Sequence, residues 1–216
     1  MKIDLTDFVR NVRDYQISPY AVENLYNDTL SRRDIWDNLA QIDEQKTEDV
    51  VLYFLNAWKC RVAYACSSDL SEALRVSAPF LANFKHLSLE SVPLKFLIED
   101  SNVQQVFLTI SSVKAKKRTV GATATSKILH MINPSFFMMA DENTRYAYGC
   151  SDNELGYANF MWRMKLFVDA LTEQYSRAKG IPKAKVLQDL ALECQSRAKT
   201  LTKLIDEYNW VKYNPK

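Results

Sequence analysis

The chain has 216 residues, of which 47% are apolar and 25% are charged, so it can bury a sizeable core and has the composition of a soluble globular protein. The formal net charge of +2 is too small to indicate nucleic-acid binding, which only a local cluster of basic residues could support. No apolar run approaches the roughly 20 residues that span a bilayer, and the charged N-terminus lacks a signal-peptide pattern. These features predict a cytoplasmic protein without a membrane partner.

The cysteine and histidine spacings do not suggest a metal site. No two cysteines form a C-x-x-C pair, and the histidines lie far from any zinc-like spacing. We therefore expect reduced, mostly buried thiols, no metal and no cofactor. The cysteines are at positions 60, 66, 150 and 194, and the two histidines are His86 and His130.

Only four glycines and six prolines occur in the chain, which favours long helices over a sheet with many turns. We therefore predict an all-α, irregular multi-helix globular fold. One helical domain over residues 1–216 is expected, with a division into two lobes around a cleft as an open alternative. The segment 114–149 would lie at that cleft.

In the first half of the chain, apolar residues at three- and four-residue spacing predict amphipathic helices. Asp4 or Thr6 can cap the first helix, and Pro79 is expected to kink or split the last. The predicted ranges are 4–15, a helix beginning at Pro19, 31–40, 49–66 and 69–86, with a polar connection over 41–48.

In the second half, residues 102–113 are ambiguous because β-branched residues favour a strand while the apolar spacing fits a helix. We predict a helix there because the surrounding sequence is helix-rich. Asp141 can cap one later helix, and Gly149 and Gly180 can end others. Residues 89–98 fit another helix or two short turns. The other predicted helices are 122–132, 141–148, 153–180 and 183–209.

A basic run precedes one of the few glycines. Lys114, Lys116, Lys117 and Arg118 lie just before Gly121, which opens a predicted helix. Cations beside a turn whose backbone N–H groups begin a helix are typical of a phosphate site. A solvated surface loop is the alternative interpretation.

Three polar residues fall near one face of the helix 122–132. Thr123 and Lys127 are four residues apart, and His130 follows three residues later. Lys127 could contact phosphate, or act as a nucleophile if desolvation lowers its pKa. An exposed helical lysine and a histidine at the core or its edge are the simpler interpretations.

Asp141 stands at a predicted helix start, with Arg145 one turn later. An N-cap together with an i,i+4 ion pair would explain both residues. A capping carboxylate can also point into a cleft, where it could stabilise positive charge on a sugar ring or orient a water. The two roles are compatible.

Four aromatic residues could stack on bases, although aromatic residues at helical spacing are more often part of a core. They are Trp58, Trp162, Tyr146 and Tyr148.

The stretch 120–145 resembles the hairpin–helix–loop–Asp segment of the helix-hairpin-helix DNA glycosylase superfamily, the endonuclease III-like proteins. Gly121 would end the hairpin, and its separation of 20 residues from Asp141 agrees with the family spacing. The usual Leu-Pro-Gly-x-Gly hairpin and the C-terminal cysteine cluster are missing. Thr123 stands where bifunctional members carry a lysine, and Thr cannot form a Schiff base.

The resemblance implies a monofunctional glycosylase that flips a damaged nucleotide out of double-stranded DNA. Asp141 would stabilise the oxocarbenium-like sugar and help a water attack, and Lys127, one turn after Thr123, would substitute for the missing lysine. The phosphate contacts would be Lys114, Lys116, Lys117, Arg118, Gly121, Thr123 and Arg145.

Two other hypotheses about the function stay open. One is a non-catalytic helical module for DNA binding or protein interaction, in which Asp141 only caps a helix. The other is a structural protein that binds no nucleic acid, which the near-neutral charge permits.

Overall fold

The computed structural model describes residues 1–18 and 23–214, and most of them are helical, which confirms the predicted all-α fold. The only strands in this part of the chain are two residues each, β1 (Lys114–Ala115) and β2 (Arg118–Thr119). The α-helices are α1 (Leu5–Gln16), α2 (Glu23–Ser31), α3 (Arg33–Trp36), α4 (Glu44–Lys46), α5 (Tyr53–Ala57), α6 (Ser67–Ala82), α7 (Leu94–Glu99), α8 (Asn102–Ser111), α9 (Gly121–Ile132), α10 (Glu142–Ala147), α11 (Glu154–Lys179), α12 (Val186–Cys194) and α13 (Leu201–Tyr213).

Helix α1 begins as predicted, with Asp4 as its N-cap accepting a hydrogen bond from the Asp7 N–H at 3.0 Å. Its apolar stripe, which includes Phe8 and Val12, is buried and packs against α13. The predicted start of the second helix at Pro19 lies outside the described residues, and α2 is described from Glu23 onward.

The predicted boundaries between residues 31 and 66 were wrong. The range 31–40 holds a single turn, α3, and a 3₁₀ turn at Leu39–Gln41, and the expected polar connection contains α4. A π-helical segment, Thr47–Leu52, joins α4 to α5. The chain leaves the helix at Ala57 because the Asn56 side chain bonds both the N–H and the carbonyl of Val62 at 2.9 Å, which fixes a loop.

Two predictions concern the helices in the middle of the chain. Helix α8 forms where the sequence was ambiguous, because Val103, Val106, Phe107 and Ile110 are buried together on one side. Helix α6 passes Pro79 without being split, so the predicted split is wrong, while the predicted kink stays a prediction. The expected helix over 89–98 is confined to α7, which begins after Pro93.

Helix α11 has the predicted ends, with Asn153 accepting from the Gly156 N–H at 2.8 Å and Gly180 in the left-handed region at φ +65°. The single helix predicted over 183–209 was wrong. It is broken after α12, where Gln195 adopts a left-handed conformation with φ 54°. Helix α13 then begins at its own N-cap, Thr200, whose hydroxyl accepts from the Lys203 N–H at 3.2 Å.

The core centres on α8 and on the buried run 136–140, which enters α10. Helix α8 packs against α6, α9 and α11, so it joins the two halves of the chain. The division into two lobes stays a prediction. Within the described residues, every helix is too short or too polar to cross a membrane.

Phe107 and Leu108 provide a matched test of this packing on α8. Phe107 is fully buried and stacks on Tyr157 with ring centroids 4.5 Å apart, whereas Leu108 is 45% exposed. Phe107→Ala should lower the free energy of unfolding by about 3–5 kcal/mol because it leaves a cavity. Leu108→Ala should change it by less than about 0.5 kcal/mol. Denaturant titration of both variants measures the difference, and similar losses would contradict the assigned orientation of α8.

Candidate functional site

A short basic β-hairpin connects α8 to α9. Strands β1 and β2 pair antiparallel, with Lys114 opposite Thr119, and Lys116 in the turn adopts a left-handed φ of 60°. The side chains of Lys114, Lys116, Lys117 and Arg118 are all exposed. The hairpin therefore presents a compact group of cations at the entrance to α9.

Gly121 begins α9 with a φ of +75°, a conformation that other residues rarely adopt. The N-cap residue, Val120, has an apolar side chain and makes no side-chain capping bond. Unpaired N–H groups at a helix start favour anions. The hairpin cations and the start of α9 thus adjoin each other, as the sequence predicted.

Asp141 is the N-cap of α10, as predicted. Its Oδ1 accepts a hydrogen bond from the Thr144 N–H at 2.8 Å, and its Oδ2 accepts from Asn214 Nδ2 at 3.1 Å. The preceding residues 136–140 are buried, which fixes where the carboxylate lies.

Arg145 is only 4% exposed, and its guanidinium does not reach the surface. Its Nη1 donates to the Thr123 hydroxyl at 3.1 Å and to the Ala140 carbonyl at 2.8 Å. The Ser126 hydroxyl also accepts from the Ala140 N–H at 3.0 Å. Thr123 and Arg145 therefore bond each other, and together with Ser126 they tie Asp141's neighbour, Ala140, to α9.

Lys127 and Asp141 line the same cavity, which has a volume of about 430 Å³. Lys127 Nζ lies 3.4 Å from the Trp58 carbonyl and 4.9 Å from the centroid of the Trp58 rings. Its Nζ is also 3.5 Å from Cys60 Sγ. The cavity is lined by Tyr15, Ala57, Trp58, Lys59, Lys127, Met139, Asp141, Asp206, Trp210 and Asn214.

Trp58 is the one predicted base-stacking residue found at this cavity. Its indole N–H is shielded from solvent and has no hydrogen-bond partner among the described residues. Tyr148 bonds Asn209 at 2.9 Å, and Tyr146 is 60% exposed, while neither they nor Trp162 line the cavity. A larger, open cavity of about 860 Å³ beside Met1 contains none of the predicted site residues.

A buried charge cluster adjoins the cavity, and sequence reasoning missed it. Lys203 is fully buried, with its Nζ 3.2 Å from Glu207, 3.4 Å from Asp206 and 3.8 Å from Glu23. The same Nζ lies 4.6 Å from the centroid of the Tyr15 ring. The only signal in the sequence was a lysine followed at three and four residues by acids on a largely apolar helix.

Burial controls the protonation of this cluster. It raises the pKa of Asp206 to about 6 and that of Glu207 to about 7, and Lys203 opposes both shifts. Burial also disfavours the charge on Lys203, but its acidic neighbours outweigh that effect and hold its pKa well above the usual value. Asp206 borders the cavity, so a carboxylate with an unusually high pKa faces the same space as Asp141.

His130 is buried and neutral rather than part of the cavity lining. Its Nδ1 bonds the Phe137 carbonyl at 2.7 Å and its Nε2 bonds the Tyr26 hydroxyl at 2.8 Å. The carbonyl can only accept, so Nδ1 carries the proton and Nε2 accepts from the Tyr26 O–H. Burial lowers the pKa of His130 to about 3. The ring joins α9, α2 and the run 136–140.

Comparisons with protein-family models, with curated proteins and with solved structures each find no match for this chain.

The two histidines give a test of this burial. The unfolded chain protonates His130 near pH 6.5, whereas the folded protein does so only near pH 3. Between these values the unfolded state holds more protons, so His130 should lower the free energy of unfolding by about 1.4 kcal/mol per pH unit as the pH falls. His130→Gln should remove that part of the slope, measured by denaturant titration from pH 6.5 to 4.

His86 is exposed and serves as the control. His86→Gln should keep the wild-type slope. A His130→Gln variant with an unchanged slope would show that the buried imidazole is charged.

Proposed function

We propose that this protein is a monofunctional DNA glycosylase-like enzyme that hydrolyses the N-glycosidic bond of a nucleotide flipped into the 430 Å³ cavity. The observation that carries the proposal is that Asp141 and Lys127 border one cavity with Trp58, Tyr15 and Trp210. A carboxylate beside aromatic walls suits a reaction in which a base is held by stacking while positive charge develops on its sugar.

The cavity walls would bind the extruded base. Trp58, Tyr15 and Trp210 offer aromatic surface, and stacking on aromatic rings is available to every base. The unpartnered Trp58 N–H would donate to an acceptor on that base. A volume of about 430 Å³ lies in the range of small-molecule sites.

Asp141 would stabilise the oxocarbenium-like sugar. Its carboxylate is held by the Thr144 N–H and by Asn214, and the N-terminus of α10 favours a negative charge there. Thr123 bonds Arg145 and has no amine, so it supports hydrolysis rather than Schiff-base chemistry. Lys127 would contact the phosphate beside the flipped nucleotide or, as an alternative, act as the nucleophile.

The hairpin would hold the DNA backbone. Lys114, Lys116, Lys117 and Arg118 are exposed, and the first turn of α9 adds N–H groups beside them. Contacts of this kind position a protein on DNA without reading its sequence. The buried Arg145 would act indirectly, through the position of Ala140.

A non-catalytic DNA-binding or protein-interaction module is the second candidate. It is favoured by the Asp141 carboxylate, because both oxygens already accept hydrogen bonds from the protein, as a purely capping residue requires. The two candidates make different predictions for Asp141.

Asp141→Asn should lower the rate of base release at least about 100-fold while DNA binding is retained, because Asn is also a good N-cap but carries no charge. The substrates are duplexes that carry uracil, 8-oxoguanine, hypoxanthine, alkylated adenine or an abasic site, treated afterwards with alkali. Borohydride is added in parallel, and a trapped adduct that disappears in Lys127→Ala would identify Lys127 as the nucleophile.

Glu142→Gln is the control, because this residue is exposed in the same helix turn. It should keep the wild-type rate. Base release by Asp141→Asn at the wild-type rate would contradict the catalytic role and favour the capping module.

The hairpin lysines should set the salt dependence of DNA binding. Replacing Lys116 and Lys117 by Ala should weaken binding and reduce the slope of log K against log salt by about 2, since each lost phosphate contact removes about 0.9. Filter binding between 50 and 200 mM salt measures this change. The control replaces Lys183 and Lys185 by Ala, which removes the same charge from exposed residues of a different turn. This variant should keep the wild-type slope. Equal slopes in the wild type and both variants would exclude the hairpin as a DNA phosphate contact.

A further inference from the structure

Two carboxylates border the 430 Å³ cavity, and the resemblance to glycosylases accounts for only one of them. Asp141 approaches it from the start of α10 and Asp206 from the middle of α13. Helices α10 and α13 pack together, and Asn214 at the end of α13 bonds Asp141 directly. The two acids are therefore held in one rigid arrangement.

The two carboxylates have different surroundings. Both oxygens of Asp141 accept hydrogen bonds, one from a backbone N–H and one from an amide, as suits a fixed negative charge. Asp206 has one oxygen, Oδ2, 3.4 Å from Lys203 Nζ, and its side chain is 17% exposed. Since Asp206 lines the cavity, its carboxylate can meet a water that occupies the space next to a ligand.

We propose that Asp206 is the general base of the reaction and takes the proton from the attacking water, while Asp141 stabilises the cationic sugar. This inference rests on the proposed glycosylase function. A division of labour between two acids is expected where their environments differ. Asp206 is then a second catalytic residue, and Lys203 is a positioning residue that orients it.

The hydrolysis balances with these groups. The water oxygen forms a bond to the sugar C1′, the bond between C1′ and the base nitrogen breaks, and its electron pair leaves with the base. One water proton passes to Asp206, which returns it to solvent, and the departing base nitrogen takes up a proton from solvent. Lys203 stays paired with Glu207 throughout, at 3.2 Å.

The protonation of Asp206 depends on groups from several elements. Burial raises its pKa to about 6, Lys203 opposes the rise, Asp141 adds to it and Lys127 opposes it. Other titratable groups around Lys203 are Glu207 on α13, Tyr15 on α1, and Glu23 and Tyr26 on α2. A base with a pKa just below neutrality is mostly deprotonated at pH 7 and still accepts protons well.

The test is the pH dependence of single-turnover base release, from pH 4.5 to 8.5, on a lesion duplex from which the wild type releases the base. The wild-type rate should fall about tenfold per pH unit below pH 6, because protonated Asp206 cannot act as a base. Asp206→Asn should be at least about 100-fold slower at pH 7 and should lose this acid limb. Asp206→Glu keeps a carboxylate and should keep the limb.

Asp28→Asn is the matched control, because Asp28 is exposed on α2, and it should reproduce the wild-type profile. Thermal melting and DNA binding of each variant separate loss of chemistry from loss of fold. If Asp206→Asn unfolds, the pH profile of Asp206→Glu tests the role of Asp206 instead. A carboxylate with only a structural role would leave no acid limb near pH 6 in the wild type or in Asp206→Glu.

The outcomes distinguish the two proposals. If the wild type releases a base and Asp141→Asn does not, but Asp206→Asn keeps the wild-type rate and acid limb, the role of Asp206 is overturned and the proposed function stands. If the wild type releases no base from any duplex, the proposed function is overturned and this inference with it.

Discussion

The ammonium group of Lys203 lies where four separate parts of the chain meet. Helix α13 supplies the lysine and two acids, α2 supplies Glu23, and α1 and the loop after α5 supply the rings of Tyr15 and Trp58. An ammonium group removed from water is tolerated only if nearby acids and polarisable rings replace the lost hydration. The positions of these four parts are therefore tied to one buried charge, and the cavity forms beside it.

This arrangement puts charge where a purely structural core would have apolar side chains. A buried ion pair often contributes less to stability than well-packed hydrophobic residues of similar volume. Glu207 is nevertheless fully buried, and its Oε2 accepts from Gln16 at 2.8 Å and from Ser196 at 2.9 Å. The network ends at a cavity carboxylate, Asp206. Glu23 Oε1 and Glu207 Oε1 are buried without a hydrogen-bond partner among the described residues, and they lie 3.8 and 3.2 Å from the Lys203 ammonium.

A second set of bonds links the hairpin end of α9 to the cavity. Arg145 and Ser126 both bond the backbone of Ala140, and Arg145 also bonds Thr123 in the first turn of α9. A molecule held at the hairpin and the start of α9 would therefore be positioned relative to Asp141 by rigid helical elements. Sites supported in this way keep their geometry better than sites on loops.

The sequence alone determined the local features of the site. Helical spacing placed α9 just after Gly121, and the short polar side chain of Asp141 predicted an N-cap, because each depends on neighbours within a few residues. Only the tertiary structure decided what faces the cavity. The segment after Gln195 bonds Gln16 of α1 through Ser196, and Lys203 is buried against Tyr15 of α1 and Glu23 of α2. These partners are far away in the chain, and no local pattern contains them.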